Sequence, residues 1–154
     1  MDSALTPLAN LTTCSRYELL VSLCRTLGPA EREALRTDDP SLVISAFNRE
    51  TLLRMLQMEG GMLTGDGPVD PTSVRSCVAA LDGFLQEQMP ARPEGHKWIV
   101  LASLYLAFVA HRPLHPIDRA GVVVEQLDGR TIYRCPLKVP GDNPICDACV
   151  CLEK

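Results

Sequence analysis

Residues 98–110 read WIVLASLYLAFVA, and Ser103 is the only interruption in this apolar run. A helix that is apolar on all sides normally lies at the centre of a bundle or is covered by a partner. The run is too short to cross a membrane, since a spanning helix needs about 20 apolar residues. We therefore predict a helix over residues 94–111 at the centre of a helical bundle, ended by Pro113 and Pro116.

Local signals predict further helices before this one. Ser15 followed by Glu18 is a capping box, in which the serine begins a helix and the glutamate reaches back to its amide. Gly28 suits a left-handed helix end, and Pro29 is placed to begin a short helix through Arg36. The first ten residues are expected to form a loose arm.

Two Asp-Pro pairs, at 39–40 and 70–71, have the pattern of an N-cap followed by the first helical residue. They predict one helix that runs to Glu59 and stops at Gly60-Gly61, and a second over residues 71–88. A loop over 61–69 and a turn over 89–93 connect the predicted helices. The second of these helices is expected to bury Val74, Cys77, Val78, Leu81, Phe84 and Leu85.

The last forty or so residues have a different character. Two β-rich runs, 122–124 and 131–133, flank Asp128-Gly129, a pair that favours a type I′ turn, so residues 121–135 are predicted to form a hairpin. After Pro136 a loop is expected to carry the sequence CDACVC. The predicted fold is a single, mainly α domain over residues 1–154. Its helical body (1–112) contains four or five helices, and the hairpin and cysteine-rich tail (113–154) pack on it, because an isolated two-stranded ribbon is marginally stable.

Composition and charge exclude several classes of protein. The chain has 154 residues and a formal net charge of −4, which is not the electrostatic footprint of a general nucleic-acid binder. No basic residue precedes Arg16, and polar residues break up the amino terminus, so we expect no secretory signal. A cytoplasmic protein without a membrane segment is the expectation.

The seven cysteines fall into two groups. Cys14, Cys24 and Cys77 lie at or within predicted helices and are expected to pack as small apolar side chains. The other four lie in the last twenty residues. Clustered cysteines in a reducing compartment more often bind metal or perform thiol chemistry than form disulfides.

The spacing Cys135-(x10)-Cys146-(x2)-Cys149-(x1)-Cys151 predicts a metal site. Two thiolates separated by two residues can hold one ion from a tight loop, and the end of the hairpin can supply a third. Soft sulfur ligands suit zinc and iron–sulfur clusters. A tetrahedral zinc site takes four ligands, so we expect the first three of these cysteines with Cys151 or His115 as the fourth. An iron–sulfur cluster, a redox pair of Cys146 and Cys149, and thiols without a ligand remain alternatives.

Three segments together resemble a known family: ASLYLAFVAHRPLHP at 102–116, YRCPLK at 133–138 and DNPICDACVC at 142–151. They are similar to a family of small uncharacterised proteins of methanogenic archaea, which carry a comparable PLHP stretch, a Tyr-x-Cys-Pro-x-Lys motif and a Cys-x-x-Cys motif. The resemblance implies an archaeal cytosolic origin, supplies no activity, and raises the weight of an iron–sulfur cluster. The positions that it carries over are Leu114, His115, Pro116, Cys135, Pro136, Cys146 and Cys149, with His115 and the three cysteines treated as one site.

We therefore expect a zinc-binding accessory or interaction protein, with another protein as its partner. The alternative is an iron–sulfur or thiol-dependent enzyme, or a metal-delivery factor, of methanogen metabolism. A regulatory module that contacts nucleic acid through the tail is disfavoured, because residues 113–154 contain five basic and six acidic residues. The sequence does not determine an oligomeric state.

Overall fold

A computed structural model describes residues 5–12, 14–61, 67–117, 121–138 and 144–153. The chain is mainly α, as predicted, and the described strands are short. The helices are α1 (Thr6–Ala9), α2 (Arg16–Arg25), α3 (Pro29–Arg36), α4 (Ala46–Glu59), α5 (Pro71–Gln88), α6 (His96–Leu104) and α7 (Pro144–Ala148). The strands are β1 (Cys14–Ser15), β2 (Pro68–Val69), β3 (Val123–Leu127), β4 (Arg130–Cys135) and β5 (Leu152–Glu153).

The apolar run at 98–110 forms the centre of the bundle. A single 3-10 turn, Pro93–Gly95, leads into α6, and a π-helical segment, Tyr105–Ala110, continues it. Leu101 and Leu104 are fully buried, and this continuous helix contacts α2, α4 and α5. The predicted central helix is confirmed. Among the described residues, no helix combines the length and apolarity needed to cross a bilayer.

The end of the central helix is stabilised by hydrogen bonds from the residues that follow it and from α2. His111 adopts the left-handed conformation at φ 52°, and the amide of Arg112 donates to the Leu106 carbonyl at 2.9 Å. From the start of α2, Arg16 donates through Nε to the Val109 carbonyl at 3.1 Å. These bonds satisfy carbonyls that a helix end otherwise leaves without partners.

Several predicted helix starts are confirmed. Ser15 caps α2 by accepting from the amide of Glu18 at 3.2 Å. Pro29 begins α3, which ends at Arg36 as predicted. Asp70 caps α5 by accepting from the Thr72 amide at 3.1 Å.

Two other predictions of helix boundaries are wrong. Gly28 is extended, with φ −76° and ψ 171°, and it is the N-cap of α3 rather than a left-handed end of α2. Asp39 does not begin a helix either, because its carboxylate accepts from the amide of Ser41 and closes a local turn. The helix starts at Ser45, whose hydroxyl accepts from the Asn48 amide at 3.1 Å.

The amino-terminal segment is packed, which corrects the expectation of a loose arm for the part that is described. Leu5 and Leu8 are buried in the core, and Arg75 of α5 donates to the Leu11 carbonyl. β1 pairs antiparallel with β2, so the end of the predicted 61–69 loop forms a short strand; residues 62–66 lie outside the described residues.

Phe84 is a second exception to the predicted burial pattern. The other five residues expected on the inner face of α5 are buried, but Phe84 is 50% exposed. Helical periodicity placed it on the buried face of α5, and the structure puts it at a groove rather than in the core.

The predicted hairpin is confirmed, and its Asp128-Gly129 turn has the two positive φ angles, 52° and 76°, of a type I′ turn. The prediction of a simple loop after Pro136 is incomplete. α7 interrupts it, and β5 adds to β4 in parallel, with Arg134 beside Leu152 and Cys135 beside Glu153. The tail is therefore folded back onto the hairpin.

Candidate metal site

The four tail cysteines surround one cavity. Cys135, Cys146, Cys149 and Cys151 line a space of about 280 Å³ together with His115. All five side chains that the sequence predicted as metal ligands thus border the same cavity.

Each cysteine reaches this cavity from a different local structure. Cys135 is the last residue of β4, and Cys146 lies in α7. Cys149 follows in a tight turn, in which its amide donates to the Cys146 carbonyl at 3.1 Å. Cys151 immediately precedes β5, and the parallel pairing of β5 with β4 brings it back beside the end of the hairpin. The third strand therefore closes the cysteine set, although no sequence signal predicted that strand.

Lys138 is a site residue that the sequence analysis did not identify as functional. Its ammonium donates to the carbonyls of Cys149 and Cys151 at 2.9 and 2.6 Å, and its amide donates to the Cys135 carbonyl at 3.3 Å. One residue, through its side chain and its amide, thus bonds to the backbone of three of the four cysteines. The only sequence signal for it was its place in YRCPLK, three residues after Cys135.

The thiols are partly shielded, and they affect one another. Cys151 is 2% exposed, and burial, followed by the nearby Cys149, raises its pKa to about 12. Burial, followed by Cys149 and Cys135, also raises the pKa of Cys146. A reactive dithiol pair requires a lowered thiol pKa, so these directions do not favour redox chemistry at Cys146.

The donor chemistry fits a thiophilic metal ion, because four sulfur atoms and one imidazole border a single space. Among the described residues, however, no group of three or more His, Cys, Asp and Glu side chains is already arranged to hold an ion. His115 is exposed at the rim. Metal binding would therefore require the thiol side chains to rearrange and lose their protons, at a cost that bonds from the thiolates to the metal would offset.

The remaining cysteines lie elsewhere. Cys24 and Cys77 are buried in the helical core, as predicted, and Cys24 contacts the Met55 carbonyl at 3.7 Å. Cys14 is half-buried in β1. These three cysteines are distinct from the four in the tail and do not line the same cavity.

A family model described as "Uncharacterized protein conserved in archaea (DUF2115)" matches residues 23–154. The matched range is 132 of the 154 residues and contains the whole cysteine-rich tail. No curated protein and no solved structure matches the chain. The resemblance to an uncharacterised archaeal family is confirmed, and the family description names no activity.

Proposed function

We propose that this chain, which belongs to that uncharacterised archaeal family, is a zinc-binding accessory or interaction protein of the cytoplasm. Cys135, Cys146 and Cys149 would be three ligands, and Cys151 or His115 the fourth. The observation that carries the proposal is the convergence of these five side chains on one cavity of about 280 Å³. Zinc bound there would supply a cross-link between the hairpin, α7 and β5.

A structural role is favoured over catalysis by how the thiols are held. Structural zinc sites are closed by four protein ligands, whereas catalytic sites keep one position open. Cys151 is buried behind the rim, so a four-thiolate set would leave no open position. Participation of the exposed His115 in place of Cys151 would leave the site more accessible, which is the arrangement that the alternative, a metal-delivery factor, requires.

Lys138 would stabilise the zinc site whether Cys151 or His115 is the fourth ligand. Two thiolates neutralise one Zn²⁺, and additional thiolates leave a net negative charge in a partly buried space. The ammonium of Lys138 lies against the carbonyls of Cys149 and Cys151, where it offsets this charge and orients the chain. Groups of this kind, which hold metal ligands in place, typically change metal affinity 10–100-fold when they are replaced, so Lys138→Met is expected to weaken binding by about that factor.

The test is metal content and cobalt spectroscopy on reduced protein. The wild type is expected to bind about one equivalent of Zn²⁺, and Co²⁺ in its place should give thiolate-to-cobalt charge-transfer absorption. Cys146→Ser and Cys149→Ser should each abolish tight binding. Cys14→Ser is the matched control, because Cys14 is also half-buried but lies outside the cavity.

Two results would contradict the proposal. One is less than about a tenth of an equivalent of metal in protein purified without oxygen or chelator. The other is equal loss of binding in the Cys14 control and the tail variants. Iron with absorption in the visible would instead favour an iron–sulfur cluster. Comparing Cys151→Ser with His115→Ala identifies the fourth ligand.

A further inference from the structure

Tyr105, the first residue of the π-helical segment, is a buried aromatic residue whose hydroxyl has no partner in the described part of the chain. The residue is only 7% exposed. No buried side-chain oxygen or nitrogen of the described residues lacks a hydrogen bond, so this hydroxyl belongs to the small exposed part of the ring. Most polar groups in such surroundings are hydrogen-bonded. The Tyr105 hydroxyl is therefore a donor left available to a molecule from solution.

Three segments of the chain bring arginines to the π-helical segment. Arg16, at the start of α2, donates through Nε to the Val109 carbonyl at 3.1 Å and is thereby fixed beside it. The chain reverses after the segment, so that the amide of Arg112 bonds back to it at 2.9 Å. Arg54 comes from α4, which packs against the same segment. The three guanidinium groups thus come from separate elements that meet around Tyr105.

The electrostatics of the Tyr105 hydroxyl reflect this arrangement. Burial raises its pKa above the usual value, and the positive charges of Arg54, Arg112 and Arg16 oppose the rise. The nearby thiol of Cys24 adds no negative charge at neutral pH, because its own pKa is about 12. The phenol therefore keeps its proton, and it can donate this proton to an anion that the arginines attract.

Two of the arginines have no partner of their own. Arg54 and Arg112 are exposed, and within the described ranges neither side chain forms an ion pair or a hydrogen bond. Glu50, one turn before Arg54 on α4, does not pair with it. Like charges gathered in one place repel each other, and a bound anion would remove that repulsion.

The donor set suits a phosphate group better than a carboxylate. Guanidinium groups match the oxygens of both. A phosphate monoester, however, offers three terminal oxygens and a charge of about −1.5 to −2 at pH 7, whereas a carboxylate has two oxygens and a single charge. A nucleic-acid strand requires contacts to many phosphates, and the net charge of −4 does not favour it. One phosphate group is therefore the ligand that the cluster fits.

We propose that Tyr105, Arg54, Arg112 and Arg16 bind one phosphate group, either free or carried by a small organic molecule. The guanidinium groups would hold its charge, and the Tyr105 hydroxyl would donate to one of its oxygens. This inference does not rest on the proposed function, because none of the four residues lines the cysteine cavity.

Isothermal titration of the full chain with inorganic phosphate and with phenyl phosphate tests the proposal. The wild type should bind a single equivalent. Tyr105→Phe, which removes only the unpartnered hydroxyl, should weaken binding by about tenfold or more, as should Arg54→Gln and Arg112→Gln. Tighter binding of phenyl phosphate would identify a phosphorylated molecule as the ligand, and tighter binding of inorganic phosphate would identify the free ion.

The hairpin supplies matched controls for both kinds of substitution. Arg130 is exposed on β4 and forms no ion pair with a described residue, and Tyr133 lies on the same strand. Arg130→Gln and Tyr133→Phe should keep the wild-type Kd. Cys149→Ser should keep it as well, since it alters only the proposed metal site.

Several results would overturn the inference. They are the absence of saturable binding, an unchanged Kd in Tyr105→Phe or in both arginine variants, and an equal loss in Arg130→Gln. Loss of phosphate binding in Cys149→Ser would also overturn it, because the phosphate would then be held through the tail. So would binding of a single-stranded oligonucleotide without binding of either small probe. Retained phosphate binding in protein that binds no metal would overturn only the proposed function.

Discussion

Replacing two glycines with alanine should change stability in opposite directions, and the structure gives the reason for each. Gly95 is buried where the 3-10 turn enters α6. A Cβ at this position would lie 3.0 Å from Val43 Cγ1 and 3.0 Å from the Val43 carbonyl oxygen. The methyl group of Val43 can rotate, but its carbonyl can move only if the segment between α3 and α4 moves.

The two contributions at Gly95 can be compared. Overpacking of a tight site costs about 1–3 kcal/mol. Alanine regains up to about 1 kcal/mol of helical preference, because Gly95 already has right-handed helical angles, φ −86° and ψ −15°. The gain partly offsets the cost, so Gly95→Ala is expected to lower the free energy of unfolding by up to about 2 kcal/mol. For a chain of this length, each 1 kcal/mol corresponds to a Tm shift of about 2–4 °C.

Gly83 is the matched control. It lies on the exposed side of α5, and a Cβ there would meet no described atom within 4 Å. Gly83→Ala should therefore raise the free energy of unfolding by about 0.5–1 kcal/mol through helix propensity alone. Urea unfolding of metal-free protein, followed by far-ultraviolet circular dichroism, measures both at constant m-value. A stabilising Gly95→Ala would refute the packing of α6 on Val43, and a destabilising Gly83→Ala would refute the open surface of α5.

Three further outcomes are expected. Arg32→Ala should lower the free energy of unfolding, measured in urea, by about 1–2 kcal/mol, because Arg32 donates to two carbonyls at the end of α2 and to a glutamate of α4. Its control is Arg36→Ala, which removes an exposed ion pair and should change the free energy of unfolding by less than about 0.5 kcal/mol. Burial and the nearby Arg16 lower the pKa of His111 below 6.5, so the unfolded chain binds a proton at this histidine before the folded chain does. The free energy of unfolding should therefore fall as the pH drops through about 6.5, and His111→Gln should remove this fall when urea midpoints are compared across that pH range. Burial raises the pKa of Cys24 to about 12 and that of Cys77 to about 11, so iodoacetamide should modify both only on unfolding; rapid modification of either in native protein would contradict the core.

Signals that act over three or four residues were the predictable part of the fold. The hydroxyl of Ser15 and the carboxylate of Asp70 bond to amides two or three residues away, so the local sequence is enough. The Asp39 prediction failed because an aspartate before a proline can close a turn as readily as it caps a helix. Local sequence does not show which of these the surrounding structure selects.

Features that depend on distant partners were not predictable. β1 and β2 are two residues each and lie more than fifty residues apart, and no periodicity appears over two residues. The exposure of Phe84 depends on what lies opposite α5, which helical spacing does not encode.

The candidate site likewise combines features that the local sequence predicts with features that depend on distant contacts. The Cys135–Cys151 spacing identified the thiols, because residue type and spacing are written in the sequence. The role of Lys138 depends on its reach to backbone carbonyls eleven and thirteen residues away. His115 and Cys146 border two neighbouring cavities because the tail packs beside α4, α5 and α6. Residue spacing predicts neither the Lys138 contacts nor this packing.

The position of the cysteine cavity along the chain has a consequence for biosynthesis. All four of its cysteines follow the central helix, so a ribosome completes α1 to α6 before it adds the first of them. Domains generally begin to fold from the amino-terminal side during synthesis, and the buried leucines of the helical core are all present by then. If the tail binds zinc as proposed, a cell short of zinc would therefore accumulate a folded helical body with an unanchored tail rather than an unfolded chain.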